Sequence, residues 1–310
     1  MKRLSAFFLL LFLLFSSACA QTARPMVGVA WVSDAGWESC LNACMAIEEA
    51  GGTAVLLGQV HSTAAGADEA DEHGMLTAGA AQRLRQGGWA QSNAQEVLQG
   101  LKAVVFTGGE DVSPSLYHQP WHGIADETQY HAARDISDYL LMSYCLDNGV
   151  AVLGLCRGMQ VLAVASGAEM IQDLPRYWQE LGLAYAAHHR VERTQPVAYR
   201  DYAAHDVQIA PDSLLFGIAG SDRLKAVPSL HHQAVRSVEG TPLRVTGVTD
   251  AGGVEIIEAV ERTDGGFALG VQFHPEAAVM KHLYGMADAA QFMPLDQATA
   301  FFRAIVSQAQ

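Results

Sequence analysis

Short apolar runs alternate with stretches of helical periodicity through the first half of the chain, the pattern of a parallel sheet covered on both faces. Residues 26–31 read as a first strand, and a helix over about 38–50 stops at Gly51-Gly52. Residues 53–57 read as a second strand and 102–107 as a third, ending at Gly108-Gly109. A helix over about 134–147 leads into 150–155, an uninterrupted apolar run of the kind a fully buried strand carries. Another helix is expected at Cys156 or just after it. Beyond that point the pattern changes to short β-rich pieces at 207–209, 243–248, 254–260 and 267–273, parted by turn signals such as Asp264-Gly265-Gly266. A closing helix is expected over about 296–307. Residues 59–99 fit neither pattern. They are rich in Ala, Gly and Gln, and are expected to decorate the surface or cover the mouth of a site. No repeat or linker divides the chain. The elements predict an α/β fold, a three-layer, doubly wound, mostly parallel sheet with extra strands in the C-terminal half, forming a single domain over 25–310.

The 310 residues are half apolar, enough for a substantial core. The formal net charge of −14 argues against nucleic acid as partner and against an anionic membrane surface, since both need clustered Lys and Arg. The first twenty residues are a separate matter. Lys2 and Arg3 precede an apolar run over 4–15 and then Ser16-Ser17-Ala18-Cys19-Ala20. That is the order of a signal peptide, and the run is shorter than the roughly 20 residues a membrane span needs. Ala18-Cys19-Ala20 suits cleavage before Gln21. Ser16-Ser17-Ala18-Cys19 equally resembles a lipoprotein signal in which Cys19 becomes the lipidated N-terminus. The protein is therefore expected to be exported, either periplasmic or tethered to a membrane through Cys19 alone. Cys40 and Cys44, four apart on one helix face, read as small core residues. No further ligands stand at zinc-site spacing, so no metal is expected.

Candidate chemistry begins at Gly154-Leu155-Cys156-Arg157-Gly158. An apolar strand runs into a cysteine flanked two residues away by glycines, with a helical pattern following: the nucleophile-elbow arrangement. Free N–H groups at a helix N-terminus favour a thiolate there. The N–H of Arg157 is placed to donate to an oxyanion. Gln272-Phe273-His274-Pro275-Glu276 ends a strand, and Pro275 is expected to hold His274 extended. Residues two apart in an extended segment project to one side, so Glu276 could orient His274 while the other imidazole nitrogen faces a thiol. Gly108-Gly109, at a strand's end, lets the backbone approach a ligand, and the Gly109 N–H could be the second oxyanion donor.

Taken in order, these segments resemble the class I glutamine amidotransferase superfamily, with its flavodoxin-like fold, and within it the γ-glutamyl hydrolase branch that includes γ-glutamyl-γ-aminobutyrate hydrolases. Gly108-Gly109-Glu110-Asp111-Val112 with Pro114 and Tyr117 looks like that branch's G-G-x-D-V-x-P-x-x-Y signature. Arg134-Asp135, the nucleophile segment 152–160, Gln172-Asp173-Leu174, the segment 229–235 and the segment 270–276 follow in the family order. The resemblance implies an amide hydrolase that needs no cofactor and acts on a small γ-glutamyl substrate. Cys156 would attack the γ-carbonyl through a thioester, His274 would shuttle the proton and Glu276 would orient it. Gly108, Gln160, His231 and His232 would line the substrate pocket. Three positions depart from the branch pattern: Asp138 where Glu is common, Pro228 where Asn usually stands, and Ala277 where an aromatic residue is frequent.

Three other readings compete. In an α/β-hydrolase of the dienelactone type the acid precedes the histidine, whereas Glu276 follows His274. A glutaminase that hands ammonia to a synthetase would need a partner domain. A degenerate family member kept for binding would not need the full Cys, His and Glu set.

Overall fold

The computed structural model describes residues 23–31, 37–123, 130–185, 189–190 and 202–310. The leader over 1–20, with Cys19, lies outside them. In chain order the elements are β1 (Met26–Ala30), α1 (Trp37–Glu49), β2 (Thr53–Leu56), α2 (Ala78–Gly87), α3 (Ala94–Leu98), β3 (Ala103–Phe106), α4 (Ala132–Asp147), β4 (Ala151–Leu155) and α5 (Arg157–Ala165). Then come β5 (Glu169–Ile171), α6 (Leu174–Glu180), β6 (Ala203–Ile209), α7 (Leu214–Ala219), β7 (Arg223–Ser229), β8 (Ala234–Ser237), β9 (Leu243–Asp250), β10 (Glu255–Arg262), β11 (Ala268–Val271), α8 (Pro275–Leu283) and α9 (Leu295–Gln308).

One sheet runs β2-β1-β3-β4-β11-β10-β9-β6-β7, with β8 pairing β10 and β5 off that path. β2, β1, β3, β4 and β11 are parallel. From β10 onward every pairing is antiparallel. The parallel half is apolar on both faces, as its runs require. Ala103, Val105, Leu153, Leu155 and Val271 face a core shared with Ile47 of α1, Val279 of α8, and Phe301 and Ile305 of α9. Their neighbours Val104, Phe106 and Val152 face the opposite core, with Leu84 of α2, Leu140 of α4 and Leu162 of α5. Period-two alternation thus builds the three layers from the sequence directly. Among the described residues no helix is long and apolar enough to cross a membrane.

Residues 59–99 do more than decorate. Leu76, Ala80, Ala81, Leu84 and Leu98 are buried in the α4-side core. The Leu76 N–H donates to Ser113 Oγ at 2.9 Å, and Ser115 Oγ donates to the Leu76 carbonyl at 2.5 Å. The segment is a buttress for the turn over 113–117. Its helix α2 escaped a periodicity reading because its buried face is two alanines and one leucine. Cys40 and Cys145 are buried, Cys44 is half-buried, and none of the described cysteines is in a disulfide.

Candidate active site

At the end of β4 the backbone turns sharply into α5 through Cys156, which has φ 51° and ψ −105°. A side chain in that region costs about 1–3 kcal/mol, sustained only where the surroundings over-determine it. The surroundings here are two glycines. A Cβ on Gly154 would stand 2.6 Å from the Gly158 carbonyl, and one on Gly158 would stand 2.3 Å from the Phe106 carbonyl oxygen. Helix α5 therefore lies too close on β4 and β3 for any side chain, and Cys156 takes up the strain. Its Sγ accepts from Gln272 Nε2 at 3.5 Å and lies 3.9 Å from the Leu230 carbonyl.

His274 arrives from the neighbouring strand, three residues beyond Val271. It does not continue as an extended segment: His274 is the N-cap of α8, Pro275 is the first helical residue and Glu276 sits in the first turn. Proline is preorganised for that position, and the run Glu-Ala-Ala that follows favours helix. The consequence for Glu276 is nonetheless the expected one, because its Oε1 lies 2.6 Å from His274 Nδ1. Both side chains are about 1% exposed. The His274 N–H donates to the Pro228 carbonyl at 2.8 Å, fixing the backbone. Burial alone would lower the imidazole pKa, but Glu276 and Cys156 outweigh it and push His274 up to about 10. The ring accordingly carries its proton through the neutral range.

The two glycines that end β3 have separate duties. A Cβ on Gly108 would meet His274 Cε1 at 2.7 Å and Cys156 Cβ at 3.5 Å, so Gly108 is packed between the two. A Cβ on Gly109 would fall 1.8 Å from Arg134 Nη1. Arg134 is fully buried and gathers the loop by donating to the Gly108 carbonyl at 3.0 Å, the Thr107 carbonyl at 3.2 Å, Glu110 at 2.5 Å and Asp138 at 3.1 Å. Asp138 also accepts from Arg157 at 3.0 Å, and Arg157 reaches Asp135 at 2.6 Å. Burial raises Asp135 to about 6 even against Arg157. This ladder of charges links the Gly108-Gly109 loop, α4 and the elbow. The sequence reading assigned Arg157 only its N–H and took Asp138 as a departure. An Arg134/Asp138 pair four apart on a helix was the available signal.

The other predicted pocket residues part company. Gln160 is buried and donates to Gln272 Oε1 at 3.3 Å and to the Gln233 carbonyl at 3.4 Å, joining the amide that touches Cys156. His232 stands over the glycine loop, with Nε2 3.0 Å from Asp111 Oδ2 and Nδ1 3.9 Å from Asp173. Burial opposes its charge, but the two carboxylates lift it to about 9. His231 lies instead in a buried cluster with His189, His205 and Glu258. Sequence reasoning missed that cluster because its members are spread over seventy residues in separate segments.

The chain matches the peptidase C26 family model over residues 84–276. It is 34% identical over 183 residues to protein NtpR of Enterococcus hirae, a match spanning 59% of this chain and 70% of that protein. It is 30% identical over 183 residues to γ-glutamyl-γ-aminobutyrate hydrolase of Escherichia coli O157:H7, spanning 59% of this chain and 66% of that one. In fold it is similar to the glutaminase domain of Trypanosoma brucei CTPS solved with bound acivicin, covering 93% of this chain and 94% of that one. The TM-score is 0.51 at 16% identity.

Proposed function

This chain belongs to the peptidase C26 family of class I glutamine amidotransferase-like proteins, and from that premise we propose that it is an exported cysteine hydrolase that cleaves γ-glutamyl amides through a thioester. The family supports amide C–N hydrolysis, and relatives named γ-glutamyl-γ-aminobutyrate hydrolase support the γ-glutamyl side of the substrate. The observation that carries the mechanism is the pairing of His274 with Glu276 at 2.6 Å beside a cysteine held at a strained strand-to-helix turn.

In the proposed reaction the Cys156 sulfur attacks the γ-carbonyl carbon, and the carbonyl oxygen takes up negative charge. The N–H of Arg157, first in α5 and so without a helical acceptor, stabilises that charge together with the N–H of Gly109. The His274 imidazolium gives its Nε2 proton to the amine nitrogen as the C–N bond breaks, leaving a glutamyl thioester and a free amine. Water then gives a proton to the same nitrogen while its oxygen attacks the thioester, and the sulfur departs as glutamate forms. Glu276 holds the imidazole in register throughout. The Arg134 ladder holds the Gly109 donor from beneath. The reacting atoms need neither nucleotide nor metal.

Export rests on residues 1–20, with the mature chain beginning at Gln21 or at a lipidated Cys19 and 25–310 forming one hydrolase domain. The test is glutamate release from a panel of γ-glutamyl amides and peptides by the mature protein. Release that persists in Cys156→Ala, or no release from any member, overturns the reading. An intact leader on native cytoplasmic protein, read by mass spectrometry, overturns the export alone.

A further inference from the structure

The geometry points to a buried site for one divalent transition-metal ion, zinc by its ligand set, held by His189, His205, His231 and Glu258. One nitrogen from each histidine and the glutamate carboxylate converge, all within 4.8 Å of one another. His189 Nδ1, His231 Nε2 and His205 Nε2 lie 3.3, 3.5 and 3.6 Å from the same Glu258 Oε1. Those separations are too long for good hydrogen bonds. They match neighbouring ligands on a tetrahedral zinc, where bonds of about 2.0–2.1 Å put donor atoms about 3.3–3.4 Å apart.

The protonation pattern tells against a plain hydrogen-bonded cluster. His231 Nδ1 is 2.9 Å from the Gln233 carbonyl, an acceptor only, so Nδ1 carries the hydrogen and Nε2 presents a lone pair. His205 does the same more loosely, with Nδ1 3.4 Å from the Asp206 carbonyl. Both Nε2 atoms and both Glu258 carboxylate oxygens are buried without a hydrogen bond. Lone pairs therefore face lone pairs around a carboxylate that is 0% exposed. Charging all three imidazoles would leave an excess of two positive charges in the interior, and charging one would still leave an Nε2 of His205 or His231 unsatisfied. A single dication satisfies every donor atom. A ligating histidine whose other nitrogen donates to a backbone carbonyl is the usual outer-shell arrangement of such sites.

Four protein ligands close the coordination sphere, which assigns the ion a structural task. The ligands join β6, β10, the connection between β7 and β8, and the 189–190 segment, whose His189 carbonyl accepts from the His231 N–H at 3.0 Å and Ser229 Oγ at 2.8 Å. That framework backs the active site. The Glu258 carbonyl accepts from the Gln272 N–H, and Gln272 touches Cys156. Leu230, next to His231, presents its carbonyl to the same sulfur.

The experiment uses the full mature chain, stripped with chelator and dialysed, then titrated with Zn2+ or Co2+ alone. One ion per chain should bind, the Tm should climb as Zn2+ is added, and Co2+ should give the visible absorption of a tetrahedral site. His205→Ala and Glu258→Gln should weaken binding by more than the roughly 10- to 100-fold that losing an outer-shell partner costs. Cys156→Ala should bind the ion unchanged. Absence of stoichiometric binding to the wild type overturns the inference, whether or not a ligand variant folds. So does binding that survives both ligand variants, or that disappears with Cys156→Ala. Stoichiometry and Tm are read without turnover, so this outcome is independent of the hydrolase reading.

Discussion

Gly108 is packed directly against the imidazole of His274: a methyl group on its Cα would sit 2.7 Å from Cε1. The histidine is held from both sides, by Glu276 at Nδ1 and by bare backbone at Cε1. Gly108→Ala should therefore displace the ring while leaving the backbone hydrogen bonds of the loop in place. A shift of about 1 Å at a reacting group costs on the order of a hundredfold in rate. We expect kcat on a γ-glutamyl amide to fall by about that factor, with KM and Tm little changed. Wild-type kcat in Gly108→Ala would show that the contact does not set the position of His274.

Cys156 should be the thiol that reagents find first. Cys145 is fully buried and burial pushes its pKa well up, while Cys44 is raised by its partner Cys40 and by burial. Cys40 is 0% exposed. Limited iodoacetamide treatment followed by peptide mapping should modify Cys156 ahead of the other three, with activity lost in proportion. Cys156→Ala should keep substrate binding and lose turnover by several orders of magnitude. Labelling at another cysteine with full activity retained would contradict the assignment.

The pH profile should have its alkaline limb set by His274. Its pKa is raised, so the imidazolium that protonates the leaving amine persists through neutrality and disappears as pH passes about 10. The charge of Glu276 is the largest single influence that raises it. Glu276→Gln keeps the shape and removes the charge, so the alkaline limb of kcat/KM should move to lower pH, towards the free histidine range near 6.5. A limb that stays in place would detach Glu276 from the titration of His274.

The sequence and the structure agree best where one local rule decides the outcome. Strands β1, β3 and β4 were legible because buried parallel strands must be apolar throughout, and the elbow because Gly154 and Gly158 bracket Cys156 at a strand's end. Glu276 reached His274 by a route the sequence reading did not foresee: alternation along a strand was assumed, whereas Pro275 opens a helix and its first turn swings Glu276 back. Helix α2 was illegible because alanines, with almost no hydrophobic contrast, make its buried face. The Arg134 ladder and the cluster around Glu258 were hidden for a different reason. Apart from the Arg134/Asp138 pair four apart on α4, each joins residues distant in sequence through burial, and such convergence leaves no periodic trace.

The Arg134 ladder gives the last prediction. Arg134 is fully buried and bridges Glu110 and Asp138, while its Nη2 holds the carbonyls of Thr107 and Gly108. Arg134→Ala removes the guanidinium and leaves Asp138, 3% exposed, with Arg157 as its remaining ion-pair partner. Breaking a buried pair from one side costs about 3–5 kcal/mol where the other charge is left uncompensated, and here Glu110 loses its Arg134 pair while Asp138 keeps one of two. Arg134→Lys should recover only part of it, since one ammonium cannot serve two carboxylates and two carbonyls at once. Denaturant unfolding should show the full loss for Ala and an intermediate one for Lys. The loop consequence is separable. Without Arg134 beneath it, Gly109 loses the contact that holds its N–H in place, so kcat should fall further than Tm at assay temperature accounts for. A double-mutant cycle pairing Arg134→Ala with Glu110→Gln should show the two losses to be non-additive, because they share one interaction. Additive losses, or an Arg134→Ala protein within about 1 kcal/mol of the wild type, would remove the ladder from the forces that hold this site together.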